Sequence, residues 1–265
     1  MSEPVIPVDL LHAAIATDPA APLVTFYDDA TGERVELSAK TFGNWVAKTA
    51  NLLVDGLGAQ PGDEAVLALP PHWQTAVWLF ACWSAGLVAA PDEPGGAVGG
   101  GDLVVVTEPD VPRAVEQGAA EIVGLSLHAL GGPLRDCPPG VTDYAVDVRG
   151  YADHFTPYAP IDPDGPALRV MSVTLTGAEV NSETFSFVNN SGLNQAARVL
   201  SAVPYTRLEG LLAGLLGPIA AGGSVIIQRN LDKEGLDRRI SVEHVTAVTG
   251  VRGWNAPSGS AYWSR

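Results

Sequence analysis

The sequence has few cysteines and no long uninterrupted apolar run. Its two cysteines, Cys82 and Cys137, are too few for the disulfide framework of a small secreted domain, which favours a reducing compartment. The longest weakly polar run, residues 211–227, is broken by Pro218 and by glycines, and is too short and too interrupted for a membrane span. The N-terminus lacks the basic start of a signal peptide. These absences together predict a cytoplasmic protein.

Positive charge is also scarce in this chain. Lys and Arg together number 15 against 30 Asp and Glu, which gives a formal net charge of −15. Such a chain repels a phosphate backbone, and no cluster of Lys and Arg reverses this locally, so nucleic acid is excluded as an expected partner. The hydrophobic fraction of 46% over 265 residues is enough for a substantial core and too high for a disordered chain.

The common catalytic and metal-binding motifs are absent from the sequence. Its five histidines are scattered and form no H-x-H or H-E-x-x-H cluster, so no metal site is predicted. There is no G-x-S-x-G elbow and no G-x-x-x-x-G-K-[ST] phosphate loop. The glycine-rich stretch 91–102 leads into a strand rather than a helix, which favours a surface loop over a dinucleotide site. No catalytic residue is therefore assigned.

What the sequence does contain is an alternation of apolar strands and helices. Ser38 can cap a helix whose apolar residues recur at helical spacing, and the apolar run after His72 predicts a helix that is buried all round and ends at Gly86. The second half predicts a helix over about 177–191. Strands between the helices favour β-α-β units and a parallel sheet. The predicted fold class is α/β, with layered sheets and flanking helices.

A stretch rich in proline, glycine and aspartate divides the chain between Gly131 and Pro166. We interpret it as a connector within a single domain that spans residues 1–265. The two halves joined by this connector are then residues 1–150 and 166–250. The alternative interpretation is that the stretch is a true boundary between two domains.

Several motifs resemble the adenylate-forming superfamily, which comprises acyl-CoA synthetases, peptide-synthetase adenylation domains and luciferases. The stretch "LGAQPGDEAV" resembles the turn L-G-x-x-P-G-D-x-V of that family, and "GLVAAP", after the buried helix, resembles its G-A-x-x-x-P. The later stretch "IAAGGSV" resembles its L-x-A-G-G-x-V. The order of these motifs over nearly the whole chain is similar to the first part of the family's large domain. More narrowly, the chain is similar to short actinobacterial proteins distantly related to AMP-binding enzymes.

The phosphate loop of that superfamily has no counterpart at the matching position. The loop is of the type T-S-G-[ST]-T-G-x-P-K-G, and this chain reads "RVMSVTLTGAEV" in its place. The glycines that let backbone N–H groups wrap a pyrophosphate are missing, and so is the lysine that would neutralise it. Ser172, Thr174 and Thr176 keep hydroxyl groups in this stretch. Their alternation favours one face of a strand over a phosphate site.

The acyl-pocket motif of the superfamily is only partly kept. The resemblance aligns the family's P-[LF]-F-H segment with Pro204 and the three residues after it, so an aromatic side chain is retained and the histidine is not. The adenine-binding segment, the ribose-binding aspartate and the C-terminal domain with its catalytic lysine have no counterpart in this sequence. The candidate ligand-binding residues are Ser172, Thr174, Thr176, Tyr205, Thr206 and Arg207.

These matches and departures lead to three hypotheses about function. The first is a non-catalytic or very weakly active module that binds a small acyl or nucleotide ligand or a protein partner. It needs no cofactor, although the resemblance leaves AMP and ATP open. The second is a drifted acyl-activating enzyme, acting alone or with another chain, in which Thr176, Glu179, Tyr205 and Arg207 converge. The third is a structural partner, such as a homodimer that covers apolar surface. The tryptophans of interest for it are Trp45, Trp73, Trp78, Trp83 and Trp254.

Overall fold

A computed structural model describes residues 5–96, 100–128 and 131–251, and the backbone of 261–263. These residues form two sheets with helices packed against them. The strands are β1 (Pro22–Asp28), β2 (Glu33–Ser38), β3 (Glu64–Ala68), β4 (Val88–Asp92), β5 (Leu103–Thr107), β6 (Glu121–Leu125), β7 (Val141–Asp143), β8 (Pro166–Val170), β9 (Val173–Thr176), β10 (Arg198–Ser201), β11 (Ser224–Arg229), β12 (Ala247–Thr249) and β13 (Ala261–Trp263). The helices are α1 (Pro7–Thr17), α2 (Ala39–Asn51), α3 (Trp73–Ala85), α4 (Val111–Glu116), α5 (Tyr144–Asp147), α6 (Gly177–Ser191), α7 (Leu208–Leu211), α8 (Gly217–Ala220) and α9 (Leu236–Val242).

The first sheet has six strands in the order β13-β12-β10-β11-β1-β2. Every neighbouring pair in it is parallel except the β1–β2 hairpin, which is antiparallel. The second sheet has seven strands in the order β7-β6-β5-β3-β4-β8-β9. Its pairs are parallel except β8–β9. The predicted α/β class with parallel β-α-β units is therefore confirmed.

Strands from both halves of the sequence pair within each sheet. β1 pairs with β11 over five residues, and β4 meets β8 at Ala89 and Leu168. The connector between the halves contains a short strand and helix, β7 and α5, where the sequence indicates only turns. The organisation of residues 1–265 as one domain stays a prediction.

The helix α3 lies at the centre of the main core, and all of its residues are buried. Gly86 ends it with a φ of 75°, in the left-handed region that favours glycine, so the predicted C-cap is confirmed. The Ser38 hydroxyl accepts a hydrogen bond from the Thr41 N–H at 3.1 Å, which confirms the predicted N-cap of α2. Because most residues of α3 are apolar, this helix packs against elements of both sheets, including β1 and β3.

The tryptophans in the described part of the chain serve mainly the core. Trp73, Trp78 and Trp83 are buried and Trp45 is half-buried, while Trp254 lies outside the described residues. These side chains therefore lie largely inside the molecule and do not form an exposed surface for a homodimer. No helix in the described ranges is both long enough and apolar enough to cross a membrane.

Candidate functional site

A two-residue turn joins β8 to β9 where the resemblance predicts a place for a phosphate loop. Val170 pairs with Val173, so only Met171 and Ser172 lie between the strands. Met171 has a φ of 56°, in the left-handed region that residues other than glycine seldom adopt. The structure places a second strand, β9, between the turn and α6.

The three hydroxyl residues of this hairpin have separate positions. Thr174 and Thr176 lie in β9, so the strand interpretation is confirmed for them, whereas it is wrong for Ser172, which lies in the turn. Ser172 and Thr174 are exposed. Thr176 caps α6: its hydroxyl accepts from the Glu179 N–H at 3.2 Å, and the Glu179 carboxylate accepts from the Thr176 N–H at 2.9 Å. This capping box occupies the polar groups of both residues in starting the helix.

The Tyr205 segment follows β10 and leads into α7. Tyr205 is 3% exposed, and its hydroxyl has no hydrogen-bond partner in the described part of the chain. Burial raises the pKa of Tyr205, so the phenol is neutral at physiological pH. The Thr206 hydroxyl donates to Glu93 Oε1 at 3.2 Å, and Glu93 directly follows β4. This bond joins the carboxyl ends of one strand from each sheet, the place where open α/β sheets bind ligands.

The remaining candidate, Arg207, is exposed and immediately precedes α7. Its side chain caps no helix and has no ion pair with a described residue. The structure therefore brings together Thr206 and Glu93, and separately Thr176 and Glu179. No hydrogen bond between described residues links these two groups.

His72 and Asn181 are among the further residues with buried polar atoms that lack a hydrogen-bond partner in the described ranges, and no sequence pattern indicates them. His72 accepts from the Gln74 N–H through Nδ1 at 3.1 Å, which leaves its buried Nε2 without a partner among the described residues. Burial lowers the pKa of His72 to about 3, so the imidazole is neutral. Asn181, on α6, has both side-chain amide atoms buried and unpaired within the same ranges. Unpaired buried polar atoms cost stability, which makes these residues, with Tyr205, further candidates for ligand contacts.

Two cavities adjoin the connector between residues 153 and 167. The first, of about 520 Å³, is bounded by α1, α2 and residues 153–161, and the second, of about 600 Å³, lies under residues 155–167. None of the six candidate residues lines either cavity. The described residues contain no group of His, Cys, Asp or Glu side chains that could hold a metal ion.

Comparison with known proteins places this chain in a family. The AMP-binding enzyme family model matches residues 11–97. A TIGR03089 family protein of Mycobacterium tuberculosis is 40% identical over 240 residues, which are 90% of this chain and 96% of that protein. The chain belongs to the TIGR03089 family. The predicted relationship to AMP-binding enzymes is confirmed by the family model, although that model matches only part of this TIGR03089 family member.

Solved structures of acyl-CoA synthetases share the fold of this family member. The apo structure of MatB from Rhodopseudomonas palustris is 16% identical with a TM-score of 0.75, and an acyl-CoA synthetase of Brucella canis is 15% identical with a TM-score of 0.77. Both matches cover 92% of this chain, which spans 49% and 47% of those proteins. The N-terminal domain of FACL13 from Mycobacterium tuberculosis is 18% identical, with a TM-score of 0.73, and 62% of it is covered. At these identities the likeness establishes the fold alone.

Proposed function

We propose that this TIGR03089 family member binds a small ligand and forms no adenylate, or forms it only very weakly. The observation that carries the proposal is the two-residue turn between β8 and β9. A pyrophosphate cradle needs several successive backbone N–H groups that face one point, usually with glycines among them. A turn of Met171 and Ser172 is too short to supply such a cradle.

The charge around this hairpin also disfavours a polyphosphate. Residues 166–191 contain no lysine, and their one arginine, Arg169, is in a bidentate ion pair with Glu64 at 2.5 and 2.7 Å. That pair uses the guanidinium of β8 for a carboxylate of β3, which lies beyond β4 in the same sheet. On the other side of the carboxyl edge, Glu93 adds a negative charge beside Thr206. Phosphoryl chemistry depends on charge stabilisation, for which this edge offers little support.

A pyrophosphate-exchange assay tests the loss of adenylation. Purified protein is incubated with ATP, Mg²⁺, labelled pyrophosphate and a panel of carboxylic acids, beside an acyl-CoA synthetase as positive control. We expect no exchange above the protein-free background for any acid. Exchange that depends on one acid and on the protein would overturn the proposal.

For the ligand itself, a small acyl compound at the Tyr205 segment has the best support. Tyr205 is the retained aromatic residue of the segment that resembles the acyl pocket, and its buried hydroxyl has an unused donor and acceptor. A carboxylic acid at about 100 times its Kd stabilises the native state by about 2.7 kcal/mol. For a chain of this size that corresponds to a rise in melting temperature of roughly 5–10 °C.

Thermal-shift measurements with acyl acids, AMP, ATP and CoA test this assignment. We expect one or more acids to raise the melting temperature, and AMP and ATP to leave it unchanged. Tyr205→Phe, which removes only the hydroxyl, should reduce the shift caused by the acid. A shift with a nucleotide but with no acid would contradict the acyl assignment.

The hypothesis of a drifted acyl-activating enzyme has less support. Thr176 and Glu179 are bonded to each other in the capping box, and Arg207 is exposed. The remaining proposal is that the chain binds a protein partner, which could be a second copy of itself. Light scattering that shows only a monomer would exclude the second copy. The scarcity of cysteine supports a cytoplasmic location.

A further inference from the structure

The cavity under the connector has the size of a small-molecule site. Its volume is about 600 Å³, within the range of roughly 300–1,000 Å³ typical of ligand pockets. One wall is formed by Asp55, in the helical segment Leu52–Gly56 that follows α2, and by Gln60 and Pro61 of the turn before β3. The opposite wall is the connector segment 155–162, and the end of α3 at Trp83 closes the cavity between them. This is a different part of the fold from the carboxyl edge that contains Tyr205.

The cavity walls are aromatic and are held in place by hydrogen bonds. The Trp83 indole N–H donates to the Ala167 carbonyl at 2.9 Å, which fixes the ring between α3 and β8. The Tyr158 hydroxyl donates to Asp55 Oδ1 at 2.9 Å and so links the connector to the helical segment that follows α2. Phe155, which is half-buried, completes the aromatic lining. Aromatic faces of this kind attract cations through the negative potential of the ring.

The charged lining of the cavity has one sign only. Asp55 and Asp162 line it, and its lining contains no lysine, arginine or histidine. Neither carboxylate has an ion-pair partner among the described residues; Asp55 accepts only from Tyr158, and Asp162 from the Asp164 N–H at 3.0 Å. Both acceptor contacts are with neutral groups, so the negative charge is not balanced. A net charge of −15 on the whole chain adds to the attraction for a cation.

We propose that this cavity binds a small organic ammonium ion with an apolar body. The ammonium group would lie near Asp55 and Asp162, and the apolar body would lie against Trp83 and Phe155. A carboxylate or phosphate compound is repelled by the same two residues, and a neutral analogue gains only the burial of its apolar surface. The site goes beyond the proposed acyl function, because it lies elsewhere and selects the opposite charge.

Three probes of similar shape and different charge test the proposal. They are 2-phenylethylamine, which is cationic at pH 7, 2-phenylethanol, which is neutral, and 3-phenylpropionate, which is anionic. Each is titrated into the protein by calorimetry and by NMR of the indole N–H signals, at low salt and at 0.5 M salt. We expect the amine to bind roughly tenfold more tightly than the alcohol, since two partly exposed charge contacts act together. The anion should not bind at this site, and salt should weaken the amine because it screens exposed charges.

Isosteric variants locate the site. Asp55→Asn keeps an oxygen that accepts the Tyr158 hydroxyl, and Asp162→Asn keeps an oxygen for the Asp164 N–H. Each variant should weaken amine binding roughly threefold, and the double variant roughly tenfold, with little change for the alcohol. Glu116→Gln, an exposed residue of α4 outside the cavity lining, removes the same charge and should leave amine binding unchanged.

Three outcomes would overturn the proposal. They are no saturable binding of the amine, equal affinity for the amine and the alcohol, and a double variant that binds the amine as the original protein does. Near-ultraviolet circular dichroism and the melting temperature of each variant show that it is folded. The Trp83 indole N–H signal should shift with the amine in the original protein and not in the double variant.

Discussion

A carboxylate on the outer face of the first sheet gives the sharpest prediction about stability. Glu243, just after α9, is 8% exposed and accepts hydrogen bonds from Tyr27 and Arg198, and from Arg34 at 3.1 and 3.2 Å. Its partners belong to β1, β2 and β10, so a single side chain joins the hairpin to the end of α9. Burial opposes ionisation, but the hydrogen bonds from Tyr27, Arg198 and Arg34 outweigh it. They lower the pKa of Glu243 from its ordinary 4.5 to about 2.

The size of the effect follows from these two pKa values. A difference of this size corresponds to about 3 kcal/mol in favour of the folded state when Glu243 is charged. Because the folded pKa is depressed, this stabilisation is complete above the unfolded pKa of 4.5 and is lost as the pH falls towards the folded pKa. Glu243→Gln should therefore lower the free energy of unfolding by about 3 kcal/mol at pH 7, and by only about 1 kcal/mol at pH 3.

Urea unfolding followed by tryptophan fluorescence measures the change in the free energy of unfolding caused by Glu243→Gln at pH 7 and at pH 3. Glu116→Gln, an exposed residue of α4, is the matched control and should change the free energy of unfolding by less than about 0.5 kcal/mol at either pH. If Glu243→Gln lowers the free energy of unfolding by less than about 1 kcal/mol at pH 7, the hydrogen-bond network around Glu243 is not a main source of stability. If the loss of free energy of unfolding is the same at pH 7 and pH 3, the stabilisation does not come from the charge of Glu243.

Three further substitutions, with Thr174→Ala as a control for the first, test local features of the backbone. Thr176→Ala breaks the capping box of α6 and should cost about 1 kcal/mol in urea unfolding, whereas Thr174→Ala, on the exposed side of β9, should cost less. Met171→Gly relieves the left-handed conformation of the turn and should stabilise the protein by roughly 0.5 kcal/mol, seen as a higher melting temperature. Gly86→Ala forces a side chain into a φ of 75° with its Cβ 3.4 Å from Pro61, and should lower the melting temperature by about 3 °C or more.

Much of the fold could be predicted because its signals are local. The buried helix α3, the cap at Ser38 and the hairpin β1–β2 each depend on residues that are close in sequence. The helix α6 agrees with the helix predicted over about 177–191, and the structure shows a capping box of Thr176 and Glu179 at its start. Helix periodicity and capping residues therefore sufficed for these elements.

The elements that could not be predicted depend on the tertiary context. The alternation of Thr174 and Thr176 indicates the strand β9, but not its pairing with β8 in a hairpin. The turn between the two strands has neither glycine nor asparagine, so the usual hairpin signal is missing, and Met171 takes the left-handed conformation instead. β7 and α5 lie within a stretch rich in proline and glycine, where Asp143 caps α5 by accepting from the Ala145 and Val146 N–H groups. Short strands such as β7 and β9 form because the neighbouring strands β6 and β8 offer hydrogen bonds to them. The periodicity of the sequence does not indicate such pairing.

The candidate site was only partly accessible from the sequence for the same reason. The resemblance singled out Tyr205, but its burial and unpaired hydroxyl depend on neighbours from several elements. The cavity under the connector combines Asp55, Trp83 and Phe155, which are far apart in the chain and belong to no motif. A pattern search that reads consecutive residues does not bring such residues together.

The hairpin β8–β9 explains how a superfamily fold can persist without the superfamily's phosphate loop. Leu168, which is fully buried, pairs with Leu175 across the hairpin, and Thr176 then starts α6 through its own capping box. Both features lie outside the turn, so the residues between Val170 and Val173 contribute little to the core. Since the cost of closing a loop changes only slowly with its length, a two-residue turn and a longer glycine-rich loop are both compatible with this scaffold. The chemistry of a phosphate site, by contrast, depends entirely on the loop residues. Agreement of the fold with acyl-CoA synthetases is therefore weak support for their activity, and the turn itself is the feature to test.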